Sequence, residues 1–459
     1  MTANSKLGEV FTYRKQEPVN KGFGYFDPEK VFFREDENGK VIIDGKRCLI
    51  VKSKDEANVV KIGDKFYKFV QIGDQVWLAE NLNYKIPGIA YNPTGDGTTN
   101  PSCWNWNNGD TEVRPQGGMY YNAFAAKYIN DNNIIPGWHA AHAGELAVLN
   151  TYAGGENAKL RSLSEWPSGT VSTNEYGFNA IPAGNRSNTG VWSNQNTYAL
   201  ITSCTIDGNN TYRLNINTNP TTTFGTTNNT IGFSLRLVKD TEPVTIGGKT
   251  YKTQKIGNQL WMTENLDYIF EGLTVGGATL QDDVHAWYYD NDTNNALLYN
   301  GYAVSYLAAH PELLPEGWRV PNNEDFSTLV GNFSTGTGGK MLKTNKNSFG
   351  GINYIGFNGD PAGIIRSNGS FTDKNNYLRI WSTTVSESNL QSFLSLENTK
   401  DNAPVLTFDN DRIVGYCIRL VKDFDVSTDV RKGGGGDEPI EIKDDDYKDD
   451  EKPKEEQKK

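Results

Sequence analysis

The chain has 459 residues and a formal net charge of −11; 36% of its residues are hydrophobic and 12% are aromatic. An aromatic share that includes 10 Trp and 23 Tyr supports packed cores rather than a disordered chain. The acidic balance argues against nucleic-acid binding, which needs a basic footprint, and no apolar run approaches bilayer-spanning length.

Met1–Leu7 lacks the apolar stretch of a secretory signal, so a protein made in the cytoplasm is expected. Residues 1–59 alternate apolar runs (Phe32-Phe33, Val41–Ile43, Cys48–Val51) with Asn38-Gly39 and Asp44-Gly45 turns. This predicts a small β-rich segment of short strands, suited to docking on a partner surface.

Beyond residue 60 the chain repeats itself. Ile62–Tyr84 recurs as Ile246–Tyr268, and Tyr121–Ala125 as Tyr299–Ala303. Gly137-Trp138 recurs as Gly317-Trp318, Gly177–Asn179 as Gly356–Asn358, and Gly232–Asp240 as Gly415–Asp423. The offset drifts only between 178 and 184, so 60–240 and 244–423 are two whole-domain copies. Each is long enough to bury its own core, and the short Glu242-Pro243 linker keeps them close.

Within a copy, Gly63-Asp64 and Gly73-Asp74 predict two-residue hairpin turns of type II′, hence a three-stranded meander whose last strand carries Trp77. Tyr121, Phe124, Ala125, Tyr128 and Ile129 fall on one helical face, as do Tyr299, Tyr302, Ala303, Tyr306 and Leu307. A second helix starts at Asn322, with Asp325 at the capping-box position and Phe326, Leu329, Val330 and Phe333 facing inward. Short strands and long Asn/Thr/Gly loops make up the rest, and the class is α+β. Residues 424–459 are predicted to be a flexible acidic tail: Gly433–Gly436 is a linker, and Asp437–Lys459 holds 11 acids and 6 bases.

These repeated motifs resemble the Fibrobacter succinogenes major paralogous domain, present twice. The matching pieces are Ile72–Leu82 and Ile256–Leu266, Gly137-Trp138 and Gly317-Trp318, and Lys159–Ser162 and Met341–Thr344. Gly177–Gly184 and Gly356–Gly363, with the closing Arg-Leu-Val-Lys-Asp, complete the set. The resemblance implies tandem C-type-lectin-like domains, in a family of mostly surface or secreted proteins with relatives in phage virions. Copy one departs from the pattern at Ala141-His142, where copy two keeps Pro321, and at Thr202–Cys204, where copy two keeps Trp381–Thr383.

The chemistry-bearing residues are sparse. His139, His142 and Glu145 could share a helix face and ligate a metal. Copy two holds Arg319, Asn322 and Asp325 there, so a helix start with a packed imidazole is the preferred reading. Asp290–Asn294 opens like a calcium loop but lacks Gly at position six and Glu at position twelve. Gly336–Lys340 is followed by Met341 where a phosphate loop needs Ser or Thr. Cys48, Cys103, Cys204 and Cys417 are far apart in sequence, which predicts free buried thiols with no disulfide and no zinc. No nucleophile–base pair emerges, so no enzyme and no cofactor are expected.

The aromatic loops are the candidate binding surface: Trp104, Asn105, Trp106 and Asn107 in copy one, and His285, Trp287 and Tyr288 in copy two. Indole faces stack on sugars, and Asn amides serve hydroxyls as donor and acceptor. The competing reading is that these rings close the core. The resulting expectation is a non-enzymatic phage virion protein (fibre, spike or capsid decoration) made in the host cytoplasm. It would contact other virion proteins through residues 1–59 and display lectin-like domains to host-surface glycans, with self-association into a homo-oligomer left open and no nucleic acid or membrane insertion involved. The alternative is a bacterial surface or secreted glycan-binding protein.

Overall fold

The computed structural model describes residues 58–91, 100–105, 117–276, 283–293, 296–333, 336–402, 405–409 and 411–424, and the backbone of 33–35, 41–43 and 46–48. Those last three segments pair as a three-stranded antiparallel sheet, Phe33–Glu35 with Val41–Ile43 with Lys46–Cys48. The remainder of the predicted docking segment and the predicted acidic tail lie outside the described residues. Both repeats lie in one compact unit that ends at Asp423.

The α+β expectation is met only in its coarse sense: the repeats are mostly antiparallel sheet, with a few short helices. In repeat one the predicted meander forms from Val59–Ile62, Lys65–Ile72 and Gln75–Leu78. Gly63 and Gly73 hold φ of +60°, and neither following Asp is left-handed, as a type II′ turn requires. Leu237–Lys239 then adds beside Gln75–Leu78, and Trp138–Ala140 beside that. The closing strand of the repeat therefore pairs with the third strand of its opening meander. In repeat two Val421–Asp423 likewise pairs with Gln259–Met262, and Arg319 bridges Val421. There the long second strand of the meander is divided into Lys249–Tyr251 and Thr253–Ile256.

A six-stranded sheet follows in each repeat with the same order. In repeat one it runs Trp192–Ser193, Asn185–Arg186, Gly232–Phe233, Tyr120–Tyr121, Ser102–Trp104, Ala90–Tyr91. In repeat two it runs Phe371–Thr372, Ile364–Ile365, Gly415–Tyr416, Leu297–Asn300, His285–Tyr288, Thr274–Val275. The last pair is parallel in both. A three-stranded meander completes each copy, Tyr198–Asp207, Asn210–Asn217 and Thr223–Asn228 against Tyr377–Val385, Gln391–Glu397 and Val405–Asp409. Even the register slip is shared, after Thr202 and after Trp381.

Asparagines cap three of the helices. Asn122 and Asn300 accept from the N–H of Ala125 and Ala303 at 2.9 and 2.8 Å, opening Ala123–Asp131 and Gly301–Ala309. Tyr121 and Tyr299, counted on those helical faces, belong instead to the preceding strands. Asn322 and Asp325 form the capping box of Asn323–Gly331, which buries Phe326 and Leu329.

The recurring motifs meet in space around a buried arginine. Arg236 and Arg419 are 0% exposed. Arg236 donates from Nε to Asn81 Oδ1 at 2.8 Å, from Nη1 to the carbonyls of Leu78 and Phe178 at 2.7 and 2.6 Å, and from Nη2 to that of Asn179 at 3.1 Å. Arg419 repeats the set with Asn265, Phe357 and Asn358 at 2.8, 2.6 and 2.9 Å. Burial pushes both guanidinium pKa values down from the usual arginine range, while the converging carbonyl dipoles satisfy the donors. The Glu-Asn-Leu segment, the Gly-Phe turn and the closing strand are thus one hydrogen-bonded assembly. Beside it Trp77 and Trp261, both fully buried, pack edge-on against Phe178 and Phe357 and donate to Gln75 and Gln259.

Candidate functional site

Three of the seven predicted aromatic-loop residues are buried. Trp104 is 2% exposed, Trp287 1% and His285 7%. Strand register makes Trp104 and Trp287 equivalent, each one step beyond the residue opposite Tyr121 or Tyr299. Each lies over the glycine of the adjoining central strand. A Cβ on Gly232 would stand 3.1 Å from the Trp104 ring, and one on Gly415 would stand 3.5 Å from that of Trp287. The Arg186 guanidinium lies over the Trp104 ring at 4.6 Å, and His285 stacks on Trp287 at 5.3 Å. The expectation of open sugar-stacking rings is corrected for these three residues, because neighbouring strands cover them. Asn105 and Tyr288 are half-buried, and Asn105 accepts from the Tyr91 hydroxyl at 2.8 Å. Trp106 and Asn107 lie outside the described residues.

The histidines of repeat one form a second cluster. His139 sits in the strand Trp138–Ala140, so no single helix face carries the three residues. Its Nδ1 meets Asp240 at 2.6 Å, and its Nε2 meets Glu145 at 2.9 Å. Burial alone would lower the His139 pKa, but the Glu145 charge and the hydrogen bonds to Asp240 and Glu145 outweigh it and raise it to about 10. Burial would likewise raise Glu145; the His139 charge and hydrogen bond bring it down to about 2. Glu145 also accepts the His142 N–H at 2.8 Å, acting as the helix cap. In repeat two Arg319 takes the place of His139, bonding Asp325 and Asp423 at 2.7 and 2.9 Å.

This cluster also joins the repeats. Gln254 of repeat two donates to Glu145 at 3.1 Å. The N–H of Gly144 donates to the Tyr354 carbonyl at 2.8 Å, and His142 Nδ1 lies 3.1 Å from the Asn353 carbonyl. Lys340 pairs with Asp207 at 2.8 Å, and Lys255 with Asp74.

One pair went unseen in the sequence: Cys204 Sγ lies 3.3 Å from His142 Nδ1. A separation of 62 positions concealed the contact, and it does not make a base for the thiol, because Nδ1 carries the proton that it donates to the Asn353 carbonyl. Its chemistry is unfavourable to a nucleophile. Burial, then the Glu145 charge, pushes the thiol pKa far up, and burial lowers His142 to about 4. A neutral thiol beside a neutral imidazole is the resting pair, the reverse of an activated thiolate. Cys103, Cys204 and Cys417 are all buried and free. Among the described residues no group of three or more His, Cys, Asp or Glu side chains is arranged to hold a metal.

A cleft of about 270 Å³ opens on repeat two, lined by Ile364, Arg366, Ser367, Arg379, Asp411 and Tyr416 among others. Arg379 donates from Nη1 to the Tyr416 hydroxyl at 2.7 Å and lies about 5 Å from the ring centres of Tyr377, Phe393 and Tyr416. Its Nε is buried without a hydrogen-bond partner. Arg366 pairs with Asp373 at 2.9 Å. By register Arg379 stands where repeat one has Leu200, since Ile201 and Ile380 bridge Ser234 and Cys417 alike. Repeat one supplies its cation from the adjoining strand, with Arg213 lying 5.1 Å from the Phe233 ring. An arginine in place of leucine, between the matched Tyr198/Tyr377 and Ile201/Ile380, was the signal in the sequence that could have marked this cleft.

The described structure defines a protein of two tandem, mostly β domains of identical topology, each locked by a buried arginine. The chain belongs to the Fibrobacter succinogenes major domain family, whose sequence model matches residues 70–239 and 255–422. No curated protein and no solved structure matches it.

Proposed function

We propose that the chain is a non-enzymatic recognition protein whose lectin-like tandem domains attach to host-surface glycans. The observation that carries this reading is the repeat-two cleft. It brings two guanidiniums, a carboxylate and two hydroxyls to an aromatic wall, the mix of polar groups and ring that sugars require. Its volume, just under the ~300–1,000 Å³ of sites for drug-sized ligands, suits a single sugar unit. A closing strand paired into the opening meander, flanking helices and Asn/Thr-rich loops support a C-type-lectin-like assignment. Incubating the full chain with an immobilised panel of bacterial surface glycans should give saturable binding; a blank panel would remove the reading.

The family resemblance extends the proposal to a virion protein, made in the host cytoplasm and joined to other virion proteins through residues 1–59. Mass spectrometry of purified particles should then find the chain, and loss of residues 1–59 should prevent its incorporation. Its presence instead in a bacterial envelope fraction would place it on a cell surface.

A further inference from the structure

Resting on that glycan reading, the geometry points to a carboxylate-bearing sugar as the ligand of the repeat-two cleft, held by Arg379. The guanidinium is fixed before any ligand arrives. Aromatic rings of Tyr377, Phe393 and Tyr416 surround it, and Nη1 is committed to the Tyr416 hydroxyl. No carboxylate pairs with it among the described residues, although most cations in these repeats have one or a set of carbonyls. What remains is the Nε–Nη2 edge, whose Nε is buried and unsatisfied. That edge presents two parallel N–H donors, the fork that a carboxylate accepts bidentately. A buried donor without a partner is costly, and a ligand oxygen that meets it recovers the loss.

The surroundings select a sugar acid over a bare anion. Ser367 and Asp411 line the same cleft, and a serine hydroxyl and a carboxylate are partners for ring hydroxyls. Asp411 would repel a second negative charge, so a monoanion fits better than phosphate. Arg366, already paired with Asp373, adds a rim charge that steers an acidic ligand inward. Repeat one carries Leu200 at the Arg379 position and Phe233, without a hydroxyl, at that of Tyr416, so this arrangement of guanidinium and tyrosine belongs to repeat two.

The test uses the full chain and calorimetric titration of two probes, a glucuronate-terminated oligosaccharide and its carboxyl-reduced, glucose-terminated counterpart. The acidic probe should bind at least tenfold tighter, and the difference should shrink as salt rises. Arg379→Leu, which installs the residue of repeat one, should erase the preference. Arg379→Lys, which keeps the charge but loses the fork, should weaken acidic binding about tenfold; near-wild-type melting of either variant certifies its fold. Equal binding of both probes, or an unchanged preference in both variants, overturns the carboxylate assignment and leaves glycan recognition standing. Inorganic phosphate that competes at the same concentration as the acidic sugar also overturns it, showing a general anion site. Failure of both probes and of the wider glycan panel removes the glycan reading and this inference together.

Discussion

The starts of the second helix in the two repeats show how one structural role can be filled by different chemistry. Both place a cation between a helix-capping acid and the acid that ends the closing strand: His139 between Glu145 and Asp240, Arg319 between Asp325 and Asp423. The arginine sits partly in solvent. The histidine is charged only because its two carboxylate neighbours hold it so, and it lies deeper, where Gln254 of the other repeat also reaches Glu145. Equivalent geometry therefore hides unequal chemistry, an imidazole held by two carboxylates in repeat one and a guanidinium in repeat two.

The largest effects should confirm what the copies share. Arg236→Leu and Arg419→Leu each orphan several buried acceptors at about 1–3 kcal/mol apiece, enough to unfold a domain stabilised by ~5–15 kcal/mol. Limited proteolysis should then digest the altered repeat, and equal losses from the two variants would sharpen the equivalence. Trp104→Ala and Trp287→Ala should each cost about 3–5 kcal/mol in denaturant titration. A nearly unaltered melt for either would return that ring to the candidate binding surface.

The pH response should separate the copies. His139 has its folded pKa raised, so its stabilisation is complete below the unfolded value near 6.5 and is lost as pH rises toward about 10. His142 has its folded pKa depressed, so its contribution is present above ~6.5 and is lost as pH falls toward about 4. Glu145 stabilises above its ordinary value and loses its contribution only as pH falls toward about 2. Thermal melts should peak near pH 6–7. His139→Arg, which copies repeat two, should flatten the alkaline limb, a change of about 1–3 kcal/mol typical of hydrogen bonds to charged groups. An alkaline limb unchanged in that variant would break the comparison. The smallest effect belongs to Lys340→Ala, which removes a half-exposed ion pair with Asp207 between the repeats and should cost no more than ~1 kcal/mol.

Local rules made much of this fold legible. The hairpin glycines and the capping box at Asn322 act within a few residues, and the duplicated motifs marked the two domains. What stayed hidden was the long-range company of each side chain. Trp104 sits in a run of Asn and Trp that reads as a surface loop, yet its cover comes from Gly232 and Arg186, more than 80 residues away in sequence. The closing arginine was visible as a motif, but its partners Asn81 and Phe178 lie 155 and 58 residues off, so its place at the centre was not. Arg379 looked like any strand residue until register set it opposite Leu200.

Because Leu237–Lys239 lies against Gln75–Leu78, and Val421–Asp423 against Gln259–Met262, the closing strand of each domain is pinned into that domain's own opening meander. Such a unit behaves like a clasp that shuts on itself. A further copy can be added in frame, or one removed, without pulling any strand of the remaining domain out of its sheet. Duplication followed by drift at a few contacts, such as His139 for arginine or Arg379 for leucine, then yields units that share a frame while responding to different surroundings.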